Sequence, residues 1–241
     1  MLRRICKYAA HLHLMRSMEI FVKLPRMEPK QTKPFSAQEQ MALRDFVLAA
    51  PTPRKVGLLL QMQLGLRIGE VCGLQWGDFD FKAGILTVRR TVSRIYCGTG
   101  CTKIVVQTPK TKSSGREIPI PHDLAALLRK LRGSASPDTW FLSGSTERPV
   151  EPRCYRKSIR GYLRRAGVRR VHPHALRHTF ATTCLQSGCD IKTLSEILGH
   201  ADANVTLKRY VHTDMKRKKT EMQRVFSAVW KKRPAQTPMP A

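Results

Sequence analysis

One change of hydrophobic period constrains this chain more than any other feature. Before about residue 80 and after about residue 120, apolar residues recur at helical spacing; between them lie short runs rich in β-branched residues. Ile85 to Val88, Thr91 to Tyr96, Ile104 to Gln107 and Glu117 to Ile120 read as strands, with a turn at Cys97-Gly98-Thr99-Gly100-Cys101. On the helical side stand Val56 to Leu64, stopped by Gly65, and Arg67 to Leu74. Asp123 to Leu131, Pro152 to Ala166, Pro173 to Gln186 and Ile191 to Leu198 follow, with Val205 to Val211 a shorter candidate. A last helix, about 214 to 232, aligns Met222, Val225, Phe226, Val229 and Trp230 on one face. The expected fold class is therefore α+β: a mainly helical domain with a small antiparallel β-sheet inserted early.

Punctuation sets the domain limits. Residues 1–24 begin with one amphipathic helix carrying Leu2, Ile5, Ala9 and Leu12. Residues 25–34, rich in Pro and basic side chains, read as a linker. Ser36 with Glu39 three residues on forms a capping box that opens a new helix. The main domain is expected over 35–233, and the Pro-rich residues 234–241 as a disordered tail.

Charge narrows the function. Lys and Arg number 44 against 17 Asp and Glu, a formal net charge of +27 over 241 residues. Such an excess repels itself and contributes nothing to the fold, so a polyanionic partner is expected, with nucleic acid ahead of membrane. No apolar run reaches the roughly eighteen residues of a membrane-spanning helix, and the basic N-terminus lacks a secretory apolar region. Seven scattered Cys fit reduced thiols in a cytoplasmic protein.

Three segments carry candidate chemistry. In Gly65-Leu66-Arg67-Ile68-Gly69-Glu70-Val71, an Arg follows an apolar helix at a glycine break, and Glu70 lies three residues on, on the same helical face. This can be a plain ion pair, but the apolar flanks would leave the Arg partly buried and in need of an anion. In His172-Pro173-His174-Ala175-Leu176-Arg177-His178-Thr179, His174 and Arg177 share a face at a helix start, where amide donors and an Arg fork suit a phosphate. A zinc site at His172, His174 and His178 is the weaker reading, because no carboxylate or Cys accompanies them at ligand spacing. In the third, Leu198-Gly199-His200 ends a helix and Tyr210 follows ten residues later. Taken singly, His200 is an ordinary turn histidine and Tyr210 a half-buried core tyrosine.

In this order the motifs Gly-Leu-Arg-x-x-Glu, His-x-Leu-Arg-His-Thr, Leu-Gly-His and Tyr resemble the tyrosine recombinases, the phage-integrase type of site-specific recombinase. The resemblance covers about residues 35 to 233. It implies that Arg67, His174, Arg177 and His200 surround a scissile phosphate and that Tyr210 is the nucleophile. It also implies a lysine on the sheet, in a hairpin of the form Lys-Thr-x-x-(Ser/Gly)-x-Arg. Lys110 in Pro109-Lys110-Thr111-Lys112-Ser113-Ser114-Gly115-Arg116 fits, with Lys112 the other possibility.

The residue types suit that chemistry. Two permanently charged Arg forks can neutralise charge growing on the non-bridging oxygens, and losing such a donor costs roughly 10²–10³ in rate. A tyrosine can hold the DNA as a 3′-phosphotyrosyl ester; His174 is the candidate base and Lys110 the candidate acid for the leaving 5′ oxygen. No Walker loop or acidic metal cluster stands in the sequence, so the expectation is an enzyme with no cofactor and no metal, independent of ATP. The expected partners are double-stranded DNA and further copies of the chain, a tetramer on recombination sites of a mobile element, with no membrane. Relatives of this type carry a helical clamp domain before the catalytic one, and the helix at residues 1–24 resembles its last helix. The reading is thus an N-terminally truncated integrase of bacterial or phage origin. The alternatives are an inactive DNA-binding remnant and a DNA-relaxing, topoisomerase-like strand transferase.

Overall fold

The computed structural model describes residues 2–16, 33–98, 100–108, 115–200, and residues 219, 222 and 223. The chain divides into two units, Met1–Thr32 and Lys33–Ala241. The first contains α1 (Leu2–His11).

The second unit opens with α2 (Ala37–Ala49), and its capping box is formed: the Glu39 N–H donates to Ser36 Oγ (3.2 Å) and the Ser36 N–H to Glu39 Oε2 (2.8 Å). α3 (Pro53–Gln63) starts with Pro in its first turn and Thr52 as N-cap. Val56, Leu58, Leu59, Leu60 and Met62 are all buried, so this helix is enclosed on every side over 56–62 and forms the centre of the domain. Each such side chain contributes roughly 1.5–3 kcal/mol. α4 (Ile68–Cys72) and a 3₁₀ turn (Trp76–Asp78) follow.

The strands then divide between two sheets rather than completing one. β1 (Phe79–Asp80), β2 (Ile85–Val88) and β5 (Arg116–Pro119) form an antiparallel sheet in the order β1-β2-β5, with Leu86 opposite Ile118 and Val88 opposite Arg116. β3 (Thr91–Gly98) and β4 (Cys101–Gln107) pair only with each other, Arg94 opposite Ile104. Burial explains the division. Leu86, Val88 and Ile118 alternate into the core, whereas among the described residues of the β3–β4 hairpin Val92 alone is buried. Short β1 has no sequence pattern of its own.

α5 (His122–Arg132), α6 (Pro152–Arg165), α7 (His174–Gln186) and α8 (Ile191–Leu198) complete the described elements, each within two residues of the sequence expectation. α6 buries Tyr155, Ile159 and Leu163 against α3 and α4; α7 packs on α3, and α8 on α7 and β5. The shorter candidate 205–211 lies outside the described residues. So does the last helix, apart from Lys219, Met222 and Gln223, which are helical and exposed.

Candidate active site

Gly65 ends α3 with φ +67°, and a Cβ there would sit 2.5 Å from the Phe180 ring. Only glycine accepts both the left-handed turn and the close approach. The turn delivers Arg67 to the N-cap position of α4. Glu70, in the first turn, accepts from the Arg67 backbone N–H at Oε2 (2.8 Å) and from Arg67 Nη1 at Oε1 (2.8 Å). The ion pair read from the i, i+3 spacing is therefore made. It engages one edge of the guanidinium, whose side chain is 39% exposed.

Arg177 is the largest fully buried side chain of the described residues, 1% exposed. It sits one turn into α7, where Nη1 donates to the Gly65 carbonyl (2.7 Å) and Nη2 to the Leu198 carbonyl (2.6 Å). The buried Thr179 beside it takes the Phe35 N–H (2.9 Å) and ties the start of the domain to the same helix.

The end of α8 gathers these parts. Gly199 caps the helix in the left-handed conformation, φ 63°, and the His200 N–H returns to the Ser195 carbonyl (3.0 Å). The last carbonyls of a helix have no partner inside it. Here three arginines supply one each: Arg116 Nε to Ile197 (2.6 Å), Arg177 Nη2 to Leu198 (2.6 Å) and Arg67 Nη2 to Gly199 (3.3 Å). Cations at a helix C-terminus are favoured by its partial negative charge. Arg67 and Arg177, 110 positions apart in sequence, are thereby held at consecutive carbonyls. Three guanidiniums against the single Glu70 carboxylate leave the cluster positive.

His200 lies 3.0 Å from Arg177 Nη2 through its Nε2. A guanidinium only donates, so Nε2 accepts and the ring proton belongs on Nδ1. His174 opens α7 and is exposed, one turn before Arg177 on the same face, and its N–H meets His172 Nδ1 (3.3 Å). The described part of the site thus brings together Arg67, Arg177 and His200, with His174 on the face that Arg177 shares. Lys110, its alternative Lys112 and Tyr210 lie outside the described residues. Among the described residues no three His, Cys, Asp or Glu side chains are grouped so as to hold a metal ion.

In the sequence Arg116 stands only as the last letter of a motif. Its fork takes both oxygens of Glu70, at 3.0 and 2.9 Å. The usable signal was scarcity: an acid flanked by apolar residues in a basic chain needs more than one partially exposed partner.

Glu70 also predicts an acid response. Burial alone would raise its pKa, but hydrogen bonding and charge from Arg116, then the charge of Arg67, hold it at about 2 against an ordinary 4.5. The folded state therefore binds this proton less readily than the unfolded chain. The stabilisation, about 3 kcal/mol at neutral pH, is complete above pH ~4.5 and is lost as pH falls towards ~2. Glu70→Gln should accordingly lower the melting temperature at pH 7, with the gap to wild type closing over that acid window. A gap that stays constant from pH 6 to its lowest measurable value would refute the linkage.

The phage integrase family matches residues 33–217 of the chain. Among curated relatives, a "Tyrosine recombinase XerC-like" protein of Caldanaerobacter subterraneus subsp. tengcongensis is 32% identical over 182 residues, 68% of this chain and 46% of the relative. The tyrosine recombinase XerA of Pyrococcus furiosus is 30% identical over 188 residues, 76% of this chain and 58% of the relative. The chain therefore spans about half the length of the curated relatives it matches. Among solved structures, the Tn1549 transposon integrase in complex with circular intermediate DNA superposes with a TM-score of 0.65 at 26% identity, covering 83% of this chain and 68% of that one. A crystal structure of XerA recombinase, at 22% identity and TM-score 0.59, shares the fold over 97% of this chain and 83% of its own. Helix-rich, with its arginines gathered at the end of one helix and matched along most of its main domain, the chain belongs to the phage integrase family as a tyrosine recombinase catalytic domain.

Proposed function

We propose that the chain is a site-specific DNA strand transferase that cuts and rejoins DNA through a 3′-phosphotyrosyl intermediate. The observation that carries this reading is the convergence of Arg67, Arg116 and Arg177 on the carbonyls of α8, a positive cluster built around one buried carboxylate. Arg67 and Arg177 would neutralise the scissile phosphate, with His200 donating from Nδ1. Tyr210 attacks phosphorus, giving its proton to His174, and the 5′ oxygen leaves with a proton from Lys110. A new 5′ hydroxyl reverses the sequence. Lys110 and Tyr210 enter on their sequence motifs. Arginine supplies the charge that a metal would otherwise supply, and the stored ester replaces ATP, so neither is needed in this reading.

Basic surface supports a DNA partner. Arg153, Lys157, Arg160 and Arg164 recur every three to four residues along α6, all exposed, and the helix has no acidic residue. Such a stripe follows a phosphate backbone and positions the protein without reading sequence. Arg169, in the basic pair Arg169-Arg170, is instead used within the domain: its guanidinium reaches Glu39 (2.8 Å) and the Pro34 carbonyl (2.7 Å). The wider reading is a homotetramer on sites of a mobile element.

A nicked duplex that traps the covalent intermediate, incubated with the chain in EDTA and without ATP, tests the chemistry. A protein–DNA adduct is expected. An adduct that appears only when Mg²⁺ or Zn²⁺ is restored would overturn the metal-free mechanism. Two-site recombination run beside plasmid relaxation distinguishes strand exchange from relaxation. Binding to nonspecific duplex should fall by about 10³–10⁵ between roughly 50 and 200 mM salt if some six to ten phosphates are contacted. A flat response would mean that the charge serves another partner.

A further inference from the structure

We propose that Arg116 is a positioning residue of this reaction: by saturating Glu70 it keeps the Arg67 guanidinium available to the phosphate. The inference rests on the reading of the site as a phosphate-transfer centre. Arg116 acts from inside the protein. It opens β5 opposite Val88, its side chain is 6% exposed, and all three guanidinium nitrogens are engaged inside the protein.

An ionised carboxylate offers four lone pairs. Oε1 of Glu70 receives Arg116 Nη1 (3.0 Å) and Arg67 Nη1 (2.8 Å). Oε2 receives Arg116 Nη2 (2.9 Å) and the Arg67 backbone N–H (2.8 Å). Two oxygens with two donors each are full. The Arg67 guanidinium can therefore hold Glu70 only by a single N–H, and it spends a second on Gly199. Three of its five N–H groups are not used by these contacts and are there for an anion. Without Arg116 the carboxylate would have two open lone pairs. An Arg–carboxylate pair prefers the two-point fork, so Arg67 would turn onto Glu70 and bring its charge and its donors with it. The same loss frees the Ile197 carbonyl, which Arg116 Nε holds at 2.6 Å next to the turn that carries His200. Arg116 thus sets both the reach of Arg67 and the register of the α8 end.

The test uses the full chain, a nicked duplex and single-turnover cleavage at saturating DNA. Arg116→Met should lower the rate by about 10- to 10²-fold, approaching the loss of an oxyanion donor, with DNA affinity unchanged. Added to Arg67→Ala it should cost far less than it does alone in folded protein, because most of its effect on the rate runs through Arg67. Arg116→Lys keeps the charge and protects the fold if Arg116→Met melts too readily; it should stay slow, since one ammonium cannot fill both Glu70 oxygens and Ile197. Multiplicative effects in the double variant, or wild-type rate in Arg116→Lys, would overturn the proposal. If wild type itself gives no adduct, the function reading fails on its own. Inorganic phosphate then decides the positioning: side-chain ¹⁵N signals of Arg67 should shift with phosphate in wild type and stay still in Arg116→Lys. Equal shifts in both would refute it.

Discussion

Tyr210→Phe is expected to abolish covalent attachment to DNA and leave noncovalent binding at its wild-type level, because it removes only the oxygen proposed to attack. The other tyrosines of the domain support this choice by what they already do. The Tyr155 hydroxyl is fully buried and donates to the Arg54 carbonyl (2.9 Å), and burial pushes its pKa well up, so it cannot supply a phenolate. Tyr162 packs on Phe46, ring centroids 6.2 Å apart, with the Arg165 guanidinium over its face. Tyr96 stands on the β3–β4 hairpin, where its hydroxyl accepts the Gly100 N–H (3.0 Å). The measurement is a denaturing gel of the adduct beside a binding isotherm. Adduct at near wild-type rate in Tyr210→Phe would sink the assignment, and Tyr162→Phe would be the next variant to make.

What the sequence revealed of this fold was mostly local. The capping box at Ser36, the glycine stop at Gly65 and the Arg67–Glu70 pair all act within one helical turn, and each is made. So is the left-handed cap at Gly199. What could not be read is carried by contacts between distant residues. Arg116 meets Glu70 across 46 positions and Ile197 across 81, and Arg67 meets Gly199 across 132. Periodicity says nothing about which helix end three arginines will share. Pairing of strands failed for a related reason. All four runs have the β-branched residues of a strand, but β2 and β5 place theirs in the core and β4 does not. Arg169 shows the converse: a basic run that looks like phosphate-binding surface is held in part by Glu39, 130 positions away. The site order Arg, His-x-x-Arg, His was legible only as a pattern, and its spatial meaning came from the carbonyls of α8.

Those carbonyls also separate by experiment the two arginines proposed to hold the phosphate. Arg177→Ala should lower cleavage by roughly 10²–10³, as loss of a transition-state donor does. It should also cost stability, which Arg67→Ala should do far less. Arg177 is fully buried, and its removal strands the carbonyls of Gly65 and Leu198, each at about 1–3 kcal/mol for an unsatisfied buried group. At ~2–4 °C per kcal/mol for a domain of this size, the melting temperature should drop on the order of 10 °C. Arg67 is partly exposed, and when it is gone Arg116 still forks Glu70, so the carboxylate is not stranded. Its loss should appear almost wholly in the rate. Cleavage and melting are therefore to be measured on both variants, with rates taken at a temperature where each is fully folded. Equal melting losses for the two would mean that the α8 end does not depend on Arg177 as its contacts indicate. A normal rate in folded Arg177→Ala would remove it from the chemistry and leave it a buried clasp between Gly65 and α8.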